Sequence, residues 1–285
     1  MSQQLKAAIR ALMSNQLPRS QDIDRWENVQ AGKEAILTIP VGPTYFKVEI
    51  GHNLDLSTND IEYVSFKLNG KVHIWATPAE LKKMALQAGL DWSDDRITIY
   101  FGDPSMTSLE GQFMGEMVTK ITDTWKCYVK LKAGVTSPVM TARALTMPSQ
   151  GERYFLPEII STSYRANKAG FNDIRVDSES DFFVRRLFMT GETGTDLKSI
   201  EIKQSGTTYM KATRADLDKD LKEFKRVPVA GDMVVDFVQQ GFGALGVFHQ
   251  YDPSGDLVFR VDKAAAGDFP VLVDGIRMVK ALPTE

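Results

Sequence analysis

The chain has 285 residues, 43% hydrophobic and 25% charged, with a formal net charge of −3 and a single cysteine, Cys127. That length is generous for one domain and comfortable for two of about 100–150 residues, and the charge leaves no global basic field to hold nucleic acid. One cysteine excludes an intramolecular disulfide and a cysteine-rich zinc site, and no apolar run reaches the roughly 18 residues a membrane-crossing helix needs.

Residues 1–17 carry Leu5, Ile9, Leu12, Met13 and Leu17 on one face, the pattern of an amphipathic helix, and Pro18 ends it. Lys6 and Arg10 occupy its polar side and interrupt any secretory h-region. From Glu34 the pattern changes to short strands. Ala35–Pro40 and Tyr45–Ile50 are separated by the turn cluster Val41–Thr44, and Ile61–Leu68 alternates before Asn69-Gly70. That dipeptide favours a two-residue hairpin turn with positive φ at both positions, returning through Val72–Trp75. Thr77, Pro78 and Glu80 then form a helix start with a capping box; Leu81, Met84, Ala85 and Ala88 make its buried stripe, and Gly89 stops it.

The same design returns further along. Asp60–Lys83 reappears as Asp196–Lys219 at an offset of 136 without a gap (206 − 70, 213 − 77), with Thr213 and Asp216 as the second helix start and Leu217, Leu221 and Phe224 as its stripe. Ile97–Phe101 falls on Met233–Phe237, Ala35–Val41 on Phe171–Asp177, and Phe46 and Val48 on Phe182 and Val184; Pro138–Thr141 falls on Pro270–Val273 at offset 132. A fixed internal period reports architecture before it reports chemistry. Each unit holds about eight short strands and one helix, the composition of a jelly-roll sandwich. The expected fold is therefore all-β: two tandem eight-stranded jelly rolls, over residues 31–148 and 171–285. An N-terminal helix or arm (1–30) precedes them and an apolar linker (149–170) joins them.

The stretches Val29–Lys33, Ile39–Tyr45 and Phe66–Gly70, continued by Ile97–Phe101, Cys127–Leu131, Phe182–Met189 and the helix after Thr213, resemble the major capsid protein of corticovirus-type phages. These are tailless icosahedral phages with an internal membrane. The resemblance runs from about Val29 to Val279 and rests on strand order and spacing; some 28 residues precede it. It implies a double jelly roll whose homotrimers form pseudo-hexagonal blocks of an icosahedral shell, made in the host cytoplasm and located in the virion. The implied partners are further copies of the chain and other capsid proteins such as a penton. The N-terminal helix precedes the resemblance, and its apolar face with Lys6 and Arg10 opposite suits docking on its own domain or a neighbouring subunit, or contact with the internal membrane. Sequence-specific binding of nucleic acid is not expected. The resemblance also brings a structural calcium, with no ligands assigned to this chain; no other cofactor is expected.

Catalytic and metal-binding patterns give a different answer. His52, His73 and His249 are scattered, without metal-ligand spacing. Asn53, Asp55, Asn59, Asp60, Asp91, Asp94 and Asp95 sit in acid-rich loops that suit either a hard cation or turn chemistry, and Asp216, Asp218 and Asp220 suit a helix start. Gly241–Gly246 has the glycine spacing of a phosphate loop but no helix follows it. Trp26, Trp75, Trp92 and Trp125 suit packing or a sugar site. No catalytic or cofactor-binding residue is assigned, and metal ligands remain unknown. The expected function is a non-enzymatic major capsid protein. The alternative is a tandem jelly-roll protein that binds glycans or hydrolyses glycans or amides, as a phage spike or amidase. Loops 102–123 and 238–256, with their Gly and Met content, suit contacts between neighbours.

Overall fold

The computed structural model describes residues 18–281 apart from 24, 109–110, 113, 242–245 and 253. The expected helix over residues 1–17 lies outside the described residues. The first unit runs through β1 (Arg19–Asp22), β2 (Trp26–Glu27), β3 (Glu34–Ile39), β4 (Thr44–His52), β5 (Ile61–Leu68), β6 (Lys71–Ala76), α1 (Pro78–Gln87), β7 (Arg96–Tyr100), β8 (Met117–Val118), β9 (Trp125–Leu131) and β10 (Met140–Met147). The second runs through β11 (Phe155–Ala166), β12 (Gly170–Arg175), β13 (Phe182–Thr190), β14 (Leu197–Gln204), β15 (Thr207–Thr213), α2 (Arg214–Glu223), β16 (Asp232–Asp236), β17 (Phe248–His249), β18 (Leu257–Lys263) and β19 (Gly267–Met278).

In the first unit β1-β10-β4-β7 faces β2-β3-β9-β5-β6, and in the second β11-β19-β13-β16 faces β12-β18-β14-β15. Apart from the two-residue strands β2, β8 and β17, both units have the same eight strands in the same order, the jelly-roll arrangement. Local chemistry explains the shared centre of each. Asn69 and Gly70 have φ of 51° and 83°, and Ser205 and Gly206 have 49° and 72°, so both hairpins turn through left-handed residues. Thr77 and Thr213 each accept from the backbone N–H three residues on, and Glu80 and Asp216 return the bond in complete capping boxes. Leu81 and Ala85 are buried in α1, Leu217 and Leu221 in α2. Phe224, expected in the buried stripe, is the C-cap residue and stands 38% exposed.

The flanks depart from a constant offset. Leu37 pairs with Cys127 while Ile174 pairs with Phe259, so β3 and β12 match at 137, not 136. That single step turns Phe171 outward, 56% exposed, where Ala35 is fully buried. Val48 pairs with Ile99 and Leu187 with Val235, which matches β4 to β13 at 139. Ala144 pairs with Val48 and Val273 with Leu187, which matches β10 to β19 at 129, not 132. Loops of unequal length and a bulge between Val184 and Arg186 absorb the differences.

Two expected boundaries also move. β11 falls inside the expected linker yet pairs along twelve residues with β19 as the first strand of the second roll. Likewise β1 pairs with β10, and β2 with β3, so residues 19–27 belong to the first roll and not to an arm.

A parallel bridge from Ile74 on β6 to Ile159 on β11 joins a sheet of one roll to a sheet of the other. The resulting ten-stranded sheet changes its inside face along its width. Phe66, Ile74 and Cys127 line the first roll's core, and the same face continues as Ile159, Leu272, Phe188 and Val234 in that cluster. The opposite face carries Leu187, Val235, Val271 and Val273 into the core of the second roll. Trp125 anchors the first core against Tyr45, Phe101 and Phe66 at ring distances of 4.6, 5.5 and 5.8 Å.

Candidate functional site

The seam between the rolls is where this chain concentrates its buried polar chemistry. α1 lies over the outer face of the β11-β19-β13-β16 sheet, with Leu81 in the same apolar cluster as Ile159, Phe188 and Leu272. Its polar side reaches across as well. Lys83 Nζ lies 3.0 Å from Asp232 and donates to Thr190 Oγ1 at 3.1 Å. Gln87 Nε2 donates to Asp236 Oδ2 at 2.8 Å, and Ser161 Oγ donates to Glu80 Oε1 at 2.8 Å. The capping box that starts α1 therefore also holds the second roll.

Beneath the helix end sits a buried charge cluster. Arg186 on β13 pairs with Asp103 of the first roll, with Asp274 Oδ2 at 3.0 Å and with Asp236 Oδ2 at 3.3 Å. Arg185 bonds Asp274 Oδ1 through Nη2 and, at 3.1 Å, through Nε, and Arg226 Nε approaches Asp236 at 3.9 Å. All six side chains are buried. Three carboxylates thus face three guanidiniums, which is the condition for removing charges from water without a large penalty. Burial alone would push the Asp103 carboxyl up, but the Arg186 and Arg185 guanidiniums outweigh it and hold it well below the usual carboxylate range. Asp103 Oδ1 is further held by the Ser105 N–H at 2.9 Å.

The two long loops clasp each other beside this cluster. Thr107 donates to the Gly241 carbonyl through both its N–H (3.0 Å) and its hydroxyl (2.9 Å). Gly241 has φ of +82°, and a Cβ there would stand 2.7 Å from Thr107 Oγ1, so this glycine serves close approach of two backbones.

Of the residues singled out for chemistry, Asp55, Trp92 and Asp94 meet around one surface pocket beside the start of α1, with His52 close to Asp94 and Asp95; the three histidines stay apart. His52 Nδ1 accepts from the Leu54 N–H at 3.3 Å, His73 lies 3.5 Å from Glu158, and His249 stacks on Phe183. Asp55 accepts from Ser57 N and Oγ, Asp60 from Thr58 Oγ1, and Asp94 from Lys82 and Trp92. Asp95 takes the Ser93 hydroxyl. Among the described residues no group of three or more His, Cys, Asp or Glu converges to hold an ion. Asp55, Asp60 and Asp95 are taken up by local turn and cap bonds and Asp94 by Lys82 and Trp92, a set of partners that suits turn chemistry better than a calcium cage. Asp216 is the α2 capping-box acid. Trp125 is core, Trp75 packs on Tyr63 at 5.6 Å with 38% exposure, and Trp92 bonds Asp94. The seam cluster itself was not among the sequence candidates, although Arg185 and Arg186 inside the apolar run Phe182–Met189 are a visible anomaly.

Comparison with solved structures finds the same architecture. The major capsid protein P2 of bacteriophage PM2 matches over 94% of this chain and 100% of its own, with TM-score 0.83 at 15% identity. A chain of the atomic structure of Sulfolobus turreted icosahedral virus matches over 92% of this chain and 91% of its own, with TM-score 0.65 at 13% identity. The PBCV-1 virus capsid matches over 94% and 97%, with TM-score 0.62 at 10% identity. No curated protein matches the sequence. The sequence-family model of the viral coat protein P2 N-terminal domain matches residues 20–148 and that of the P2 C-terminal domain residues 156–279. The chain therefore belongs to the viral coat protein P2 family and is a major capsid protein of the virion.

Proposed function

We propose that three copies close into a pseudo-hexagonal trimer, and that trimers tile an icosahedral shell around an internal membrane without catalytic turnover. The observation that carries this reading is the side-by-side union of two jelly rolls of identical strand order in one sheet. Three copies then supply six like units, so a threefold object fits sixfold positions of a lattice. Two non-identical rolls also supply the unlike surfaces that a head-to-tail ring requires. Other capsid proteins would fill positions the trimer cannot, such as a penton, and residues 1–17 would face the membrane. Light scattering on the purified chain should give three times the monomer mass, and negative-stain images a hexagonal outline. A monomer at micromolar concentration would overturn this reading.

A further inference from the structure

We propose that Lys263 and Asp196 join through their side chains in an amide bond, formed once in each chain as the second roll folds, with Glu192 as the proton carrier. The inference stands on the second roll alone and does not depend on how copies assemble.

Strand β18 points Leu257, Phe259, Val261 and Lys263 inward in alternation. The first three are core, and the fourth is a fully buried lysine. The first roll shows what the fold asks for at this place. Lys263 pairs with Leu197 as Leu131 pairs with Ile61, so the lysine stands where the first roll has a fully buried leucine. An aspartate precedes each pair, and its carbonyl accepts the N–H that follows the partner strand: Ala264 to Asp196 at 2.7 Å, Lys132 to Asp60 at 2.9 Å. Asp60 spends its carboxylate in its own turn, on the Asp55 N–H and the Thr58 hydroxyl. Asp196 is 5% exposed and meets the lysine instead. A buried ion pair is seldom worth more than the apolar side chains that could replace it. The first roll contains that replacement, so packing does not account for an amine here.

The surroundings suit a reaction. Lys263 Nζ lies 3.1 Å from Asp196 Oδ2 and 3.5 Å from Glu192 Oε1, and donates to the Ala265 carbonyl at 3.2 Å. The Glu192 N–H donates to the same Oδ2 at 3.2 Å, whereas Oδ1 is buried without a hydrogen-bond partner. Two glycines make room for the three side chains. A Cβ at Gly191 would collide with Asp196 Oδ1, and one at Gly267 would collide with Glu192 Oε1.

Burial pushes the Asp196 carboxyl up, but Lys263 and the Glu192 N–H hold it below the usual range, so the pair rests as ammonium and carboxylate. The reaction starts when Nζ passes one proton to Oδ1, which leaves an amine and an acid and removes both charges from the interior. The amine attacks Cγ, and negative charge gathers on Oδ2 beside the Glu192 N–H. Glu192 takes a second proton from the nitrogen and gives it to the departing Oδ1 hydroxyl. The Cγ–Oδ1 bond breaks, water leaves past the half-exposed Glu192, and the amide remains. No other reactant is consumed. Reactants held in contact behave as if at ~10⁵ M or more, which lets an amine meet a carboxyl without an activating reagent.

The test uses the native chain, purified folded and then denatured for intact-mass measurement. The mass should fall short of the sequence mass by one water. A tryptic digest should show no cleavage after Lys263 and should contain residues 187–198 joined to 261–277. Lys263→Met and Asp196→Ala should each restore the sequence mass. Glu192→Gln should lose the water about a hundredfold more slowly after refolding; an unchanged rate removes Glu192 from the reaction. A native chain of full sequence mass, with Lys263 open to trypsin, overturns the bond and leaves an ordinary ion pair. A lost water that maps elsewhere, such as a succinimide at Asp274-Gly275, overturns it as well.

Discussion

Replacing Asp103 by Asn removes one charge from the seam cluster and almost nothing of its shape. Two carboxylates then face three guanidiniums, all buried, and the amide turns a donor toward Arg186. Removing one partner of a buried ion pair costs about 3–5 kcal/mol. Arg186 keeps Asp236 and Asp274, so the lower end, about 3 kcal/mol, applies. With an unfolding entropy of about 2.1 cal/mol/K per residue, 285 residues convert that loss to a melting-point fall of about 5 °C. The loss must also depend on pH. The folded Asp103 carboxyl lies below its unfolded value near 3.9, so its contribution is complete above about pH 5 and fades as the pH falls through that value. Paired denaturant melts of the native chain and the variant at pH 7 and pH 3, at one protein concentration, give both quantities. A deficit under about 1 kcal/mol, or one of equal size at the two pH values, would refute the view of this cluster as the charged tie between the rolls.

Three further outcomes are expected. Gly70→Val places a β-branched residue at φ +83° in open space, so the cost of about 1–2 kcal/mol comes from backbone strain alone and Gly70→Asn should recover much of it in thermal melts. Thr77→Ala should cost about 1 kcal/mol or more and Thr213→Ala less, because only the first capping box is also bonded to the other roll, through Ser161; equal losses would remove that distinction. Burial pushes the Glu116 carboxyl up to about 7 against a hydrogen bond from Gln150, so native stability should fall as the pH rises from about 4.5 to about 7. Glu116→Gln should flatten that fall and gain up to about 3 kcal/mol at pH 8, and urea melts at pH 5 and pH 8 would show an unchanged slope if the carboxyl titrates normally.

Legibility in the sequence followed the range of the interaction. The hairpins at Asn69-Gly70 and Ser205-Gly206 and both helix starts are set by residues within four positions of one another, and the reading of them holds. The flanking matches slipped because register there is set by partners far along the chain. Phe171 looks like an inward strand residue until its pairing with Asp262 is known. β11 reads as an apolar connection because its partner β19 lies about a hundred residues away, and because both its faces are covered in part, one by each roll. The charge cluster draws Asp103, Asp236, Asp274, Arg185, Arg186 and Arg226 from separate loops and strands. Arg185 and Arg186 interrupt the apolar run Phe182–Met189, and Asp236 and Asp274 interrupt Met233–Val238 and Val271–Ile276, but nothing local says that these breaks pair with one another.

The bridge from Ile74 to Ile159 has a mechanical meaning for a shell. Backbone hydrogen bonds and a ladder of packed strands run from one roll into the other, and α1 wedges the angle between them. Swinging the rolls apart would break that bridge and strand six charged groups in a half-open gap, so residues 148–154 cannot serve as a hinge. A closed surface still has to curve. With tiles that do not flex, the bend must be taken up entirely in the joints between tiles, and the radius of the particle becomes a property of its joints.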